Sequence, residues 1–174
     1  MASLNTQLFF IIYSLAGRAV WSDFLIIFFG DYGIYIVFAI FFIAAYRAYK
    51  KRKNVAALRP YVGTLVAVAT AYGVVQVIRL FYHHVRPFVA FGIPHLLTDA
   101  AYSFPSAHTT VLFSLGTSVY FFNKKLAKFI CISGLFVGIA RIAGGVHYPL
   151  DILGGILLGA AVSWILDRAY LSLI

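Results

Sequence analysis

The chain has 174 residues, 63% of them hydrophobic and only 11% charged, against about 25% charged in an ordinary soluble domain. That excludes a soluble globular protein and points to a chain built in a bilayer. The net charge of +9 does not mark a nucleic-acid binder, because six of the 14 Lys and Arg residues fall at positions 47–59 and three more are Lys124, Lys125 and Lys128. These sit between apolar runs, the pattern of cytoplasmic loops.

In chain order, Leu4, Leu8, Ile11, Ile12 and Leu15 recur at helical spacing but are interrupted by Asn5, Gln7, Arg18 and Asp23. Residues 1–30 are therefore expected to be one or two amphipathic helices in the membrane interface, with a sixth span as the alternative. Gly30-Asp31-Tyr32-Gly33 is expected to break this region from the next. Five apolar segments then follow at 32–49, 61–82, 106–123, 126–143 and 149–169, each close to the roughly 20 residues a span needs. All must be helices, because a lone strand leaves its backbone polar groups unpaired in lipid. The expected fold is an all-α integral membrane bundle of five, or six, transmembrane helices forming one domain over 1–174. The single cysteine, Cys131, allows no intrachain disulfide and no multi-cysteine metal site.

Parity and charge set the topology. With the basic loops in the cytoplasm, segments 83–105 and 144–148 lie outside. All five histidines and four of the five acids then share the outer side, and there is no glutamate. Three pieces meet there. Arg79-x6-Arg86-Pro87 closes the second span; the spacing of seven places both guanidiniums on one helical face, with Pro87 ending the helix. Forked donors of this kind suit phosphate oxygens, although snorkelling arginines fit the same positions. Pro105-Ser106-Ala107-His108 opens the third span, with Ser106 as a cap and free N–H groups as an anion site. Arg141-x5-His147-x3-Asp151 crosses a Gly144-Gly145 turn into the last span. His147 and Asp151 are about one turn apart, so the carboxylate can orient the imidazole and leave its other nitrogen as a lone pair. A helix-terminal His–Asp contact without chemistry fits the same spacing.

Together the three pieces resemble the motifs of the type 2 phosphatidic acid phosphatase superfamily: Lys-x6-Arg-Pro, Pro-Ser-Gly-His and Ser-Arg-x5-His-x3-Asp. Arg86, Pro87, Pro105, Ser106, His108, Arg141, His147 and Asp151 match; Arg79, Ala107 and Ala140 stand where the family has lysine, glycine and serine. The likeness covers roughly residues 60–165. The stretches around Arg86 and 103–110 are more narrowly similar to the bacitracin-resistance type of undecaprenyl-diphosphatase.

The resemblance implies a lipid phosphatase of the bacterial cytoplasmic membrane with its site facing outward. His147 is the implied nucleophile, forming a phosphohistidine, with Asp151 its orienting group and His108 the acid and base. Arg79, Arg86, Arg141 and Ser106 are implied to bind phosphate. The implied partners are the bilayer and a membrane lipid: undecaprenyl diphosphate first, lipid A 1-phosphate or phosphatidylglycerol phosphate as alternatives. No cofactor, metal or nucleic acid is expected. A histidine metallohydrolase fits poorly, because no zinc spacing is present. An anion transporter also fits poorly, since the inner halves of the spans show almost no polar residues along a path. Three histidines, His83, His84 and His95, match no motif position and are expected to be interfacial or loop residues, with headgroup contact as the alternative. Tyr13, Trp21, Tyr32, Tyr82 and Tyr102 are expected in an aromatic belt.

Overall fold

The computed structural model describes residues 3–99 and 102–171, and every regular element among them is helical. Ser3 starts helix α1 (Leu4–Tyr13), its hydroxyl accepting the Thr6 N–H at 3.3 Å. This helix is docked on the bundle. Phe9 is fully buried against Tyr148 and Phe91, and Asn5 accepts the Leu150 N–H at 3.0 Å.

The next element departs from expectation. Helix α2 (Val20–Ile27) runs through a π-helical turn (Phe28–Tyr32) into α3 (Gly33–Arg52), making one 33-residue apolar helix. The expected break at Gly30–Gly33 is instead a wider turn within a span. Two glycines there let neighbours approach closely: a Cβ on Gly30 would stand 2.5 Å from Leu97, and one on Gly33 would stand 2.9 Å from Val137. Residues 20–30 thus open the first span and do not form a separate interfacial helix.

A 3₁₀ turn (Val55–Leu58) leads to α4 (Arg59–Phe81), with Pro60 in its first turn where a missing N–H costs nothing. A short α5 (Pro87–Phe91) follows, then α6 (Ala107–Tyr120), α7 (Lys124–Ala143) and α8 (Pro149–Leu171). Asn123 caps α7 by accepting the Leu126 N–H at 3.1 Å. Among the described residues, four helices are long and apolar enough to cross a membrane: Val20–Arg52, Val55–Phe81, Lys124–Ala143 and Pro149–Ala169. The expected third span is shorter. The 14 residues of α6 reach only about 21 Å, and this helix lies at the centre of the bundle, packed on α4, α7 and α8.

The burial pattern suits a lipid solvent. Large apolar side chains such as Val20, Phe81 and Leu157 face outward, while hydroxyls face inward. Thr64, Thr109, Thr110, Ser114, Ser118 and Ser163 are all buried. Ser114 and Ser163 bond at 2.7 Å, and Ser118 donates to Thr64 at 3.0 Å and lies 3.2 Å from an Asp167 oxygen. Polar residues therefore do follow the inner half of the α6–α8 contact, contrary to the reading of bare inner halves. They join helices side by side, as polar groups do where water is absent. Gly155 and Gly159 set the α6–α8 approach: a Cβ on Gly159 would fall 2.2 Å from the Thr110 carbonyl oxygen.

Candidate active site

The antiparallel order gathers the ends of α4 and α7 and the starts of α5, α6 and α8 at one end of the bundle. Lys50, Lys51, Arg52 and Lys124 stand at the other. Gly145, at φ +86°, turns the chain between α7 and α8. Asp151, in the first turn of α8, accepts the Tyr148 N–H at 2.7 Å. This fixes the carboxylate beside His147, with Oδ2 3.5 Å from His147 Nδ1.

His147 is fully buried. Its Nε2 faces the other way, 3.4 Å from an Arg86 Nη and 3.8 Å from an Asp99 carboxylate oxygen. Burial is the main force pushing His147 down to about 4; Asp151 opposes the shift, and the charges of Arg86 and Arg141 add to it. The imidazole is neutral at physiological pH. Its Nδ1–H belongs on the Asp151 side, where the carboxylate is the nearest acceptor, and its lone pair belongs on Nε2.

Arg86 and Arg141 are both almost fully buried. Arg86 donates to the carbonyls of Val146 at 2.8 Å and Tyr102 at 3.1 Å, and pairs with Asp99 at 3.1 Å. Burial draws its guanidinium down to about 10, against the pull of Asp99, so it stays charged at neutral pH. Arg141 pairs with Asp99, with Asp31 at 3.2 Å and with the Gly30 carbonyl at 3.3 Å.

Arg79 reaches the same region from α4, donating to the Pro105 carbonyl at 2.9 Å. It does not share a helix face with Arg86, as the spacing suggested, because α4 ends at Phe81 and Pro87 begins a new helix. Arg86 is the last extended residue before that proline, the conformation a following proline imposes.

Ser106 stands at the N-cap of α6 but makes no side-chain cap bond. Its hydroxyl accepts from Thr109 at 3.1 Å and its N–H donates to the Asp151 carbonyl at 3.1 Å. His108, in the first turn of α6, has Arg141, Asp99, His147 and Arg79 as electrostatic neighbours. The structure therefore brings Arg79, Arg86, Ser106, His108, Arg141, His147 and Asp151 to one place.

Three site residues escaped the sequence reading. Asp99 bridges the two buried arginines. Asp31 braces Arg141 from the π-turn. His84, expected to be an interfacial or loop residue, lies 2.8 Å from the Ser103 hydroxyl and 3.5 Å from the second Asp151 oxygen. Asp151 thus stands between two imidazoles. His83 and His95 stack on Tyr102 and Phe88, with ring centres 4.3 and 4.2 Å apart. Some of the expected belt tyrosines brace loops instead: Tyr13 donates to the Pro94 carbonyl at 2.6 Å, and Tyr82 stacks on His84. A separate cavity of about 830 Å³ opens at the opposite end; its lining is apolar apart from Arg59, Ser118 and Asp167. Among the described residues, no three His, Cys, Asp or Glu side chains form a metal-holding group.

An apolar helix bundle with arginines and a paired histidine gathered at one end defines a class of membrane phosphatases. Residues 60–172 match the PAP2 superfamily, and the chain belongs to it as an integral membrane phosphatase. It is 28% identical over 166 residues to the undecaprenyl-diphosphatase BcrC of Bacillus subtilis (strain 168), covering 95% of this chain and 83% of that one. The fold is similar to that of Aquifex aeolicus LpxE, with a TM-score of 0.77, 24% identity and 96% of both chains covered. It is also similar to the first transmembrane PAP2 type phosphatidylglycerolphosphate phosphatase from Bacillus subtilis. There the TM-score is 0.73 at 21% identity, with 99% of this chain and 89% of that one covered.

Proposed function

We propose that the protein hydrolyses undecaprenyl diphosphate to the monophosphate at the outer face of the bacterial cytoplasmic membrane, through a phosphohistidine on His147. The observation that carries the chemistry is the two-sided setting of His147, with Asp151 behind Nδ1 and two buried arginines around the space before Nε2. The substrate rests on the 28% identity to an undecaprenyl-diphosphatase across nearly the whole chain.

In the first step Nε2 attacks the terminal phosphorus in line. The N–P bond forms, the bridging P–O bond breaks, and His108 gives its proton to the leaving lipid phosphate. Arg79, Arg86 and Arg141, with Ser106 and the first-turn N–H groups of α6, take up the charge spread over the phosphoryl oxygens. In the second step water attacks the phosphohistidine, its proton passes to His108, and phosphate leaves with His147 neutral again. Asp151 balances the positive imidazole between the steps. The basic residues at the other end support an outward-facing site, since Lys and Arg favour the cytoplasmic side. No metal is needed, because guanidiniums and helix ends supply the positive field.

The test is phosphate release by purified protein in EDTA from undecaprenyl diphosphate, lipid A, phosphatidylglycerol phosphate and phosphatidate. Undecaprenyl diphosphate should give the highest kcat/KM. A clear preference for another lipid would overturn the substrate, and full loss in EDTA rescued by a divalent ion would overturn the mechanism.

A further inference from the structure

Asp99 occupies the space that the mechanism assigns to the phosphoryl group. One of its carboxylate oxygens pairs with Arg86 at 3.1 Å; the other pairs with Arg141 and stands 3.8 Å from Nε2 of His147. A carboxylate and a phosphoryl group want the same thing from two guanidiniums, forked donors around negative oxygens. They cannot both have it here, since the arginines are buried and the nucleophilic nitrogen is within 4 Å of the carboxylate.

The placement of Asp99 is built into the fold. Two residues earlier, Leu97 is fully buried at the two glycines, its methyls 2.5 Å from where a Cβ would lie on Gly30 and on Gly144. The Leu96 N–H donates to the Gly144 carbonyl at 3.1 Å, and the Tyr13 hydroxyl holds the Pro94 carbonyl. The segment before Asp99 is seated, whereas the Asp99 side chain itself is 23% exposed, by far the most open member of the trio.

We infer that Asp99 is an internal competing anion, which closes the phosphoryl site at rest and must be displaced by substrate. This rests on the phosphoryl-site reading above. A competitor of this kind weakens every phosphate ligand by the same factor, the fraction of time the site stands open. A lipid substrate concentrated in the bilayer still saturates the site. Inorganic phosphate, the product, is held weakly and expelled as the carboxylate returns. Asp99 thereby sets the affinity of the site for phosphate groups and limits product inhibition.

The experiment is titration of the purified full chain with inorganic phosphate, followed by phosphorus NMR, for the wild type, Asp99→Asn and Asp99→Ala. Thermal unfolding serves as the fold check. If the site is closed about nine-tenths of the time, both variants bind phosphate roughly tenfold more tightly. KM for the lipid substrate falls by the same factor, while kcat stays level or drops as phosphate release slows. Equal or weaker phosphate binding by folded variants would overturn the inference and leave the site reading standing. No phosphate binding by any of the three proteins would overturn both. Asparagine keeps an oxygen for the arginines, so it carries the test if alanine unfolds. Unfolding of both variants would make Asp99 a structural residue and overturn the proposal.

Discussion

Replacing Asp151 with asparagine isolates the charge behind His147, the proposed nucleophile. The Tyr148 N–H still needs an acceptor, so the amide oxygen takes the place of Oδ2, and the amide nitrogen turns toward His84. Geometry and tautomer at His147 are kept and only the negative charge is lost. Asp151 is 1% exposed and His147 fully buried, so solvent screens the pair little. At 3.5 Å and an effective dielectric of about 20, a full positive charge on the imidazole is stabilised by about 5 kcal/mol. A phosphoryl-transfer transition state is loose, and with about half that charge developed the loss is near 2.4 kcal/mol. At about 1.4 kcal/mol per decade, kcat should fall ~50-fold, and up to ~3000-fold if the full charge is developed. The assay is phosphate release from undecaprenyl diphosphate by wild-type and Asp151→Asn protein with matching thermal midpoints. A kcat within about threefold of wild type would refute the assignment of Asp151 as the charge partner of His147.

His147→Ala should fold and lose turnover, and acid-labile phosphate trapped from labelled lipid should map to His147; label on another residue would displace it as nucleophile. The pH dependence has a definite sign. With His147 at about 4 when folded, against the ordinary 6.5, the unfolded chain takes up a proton that the folded site refuses. This part of stability is whole above about pH 6.5 and is lost as pH falls toward about 4, at a cost of about 3 kcal/mol. His147→Gln should flatten that slope in thermal unfolding; an unchanged slope would count against a buried neutral imidazole. Gly159→Ala should lower the thermal midpoint, because its Cβ meets the backbone of Thr110 and Ser114 at 2.2 and 2.9 Å, an overpacking cost of about 3 kcal/mol or more. Gly63→Ala, with nothing within 4 Å of the added carbon, should leave the midpoint level or raise it.

Most of the spans and the three motifs are legible because their signals are local. The turn at Gly144-Gly145, Pro149 as a helix start and the His147–Asp151 spacing all act within about ten residues. Arg79 and Arg86 do not share a helix face, and the sequence signals this too, since the residue before a proline avoids the helix. Gly30–Gly33 reads as a break in the sequence because glycine costs a helix up to about 1 kcal/mol. That cost is offset by partners distant in sequence: Leu97 packing on Gly30, and Arg141 bonding to the Gly30 carbonyl and Asp31. His84 and Asp99 have no periodicity to betray them. Their roles come from Ser103, Asp151, Arg86 and Arg141, which only the folded bundle brings near.

The π-turn gives the first span a reach beyond anchoring. Residues 60–172 carry the superfamily's signature, yet Arg141 is steadied by Asp31 and Gly30 from well upstream of it. Each residue advances a helix by about 100°. Removing one residue from Phe28–Tyr32 would swing Asp31 away from Arg141 or rotate the whole preceding stretch around the bundle. The arginine-bearing end is thus keyed to the register of a helix outside the signature, and sequence drift at two positions there reaches Arg141, which lies within it.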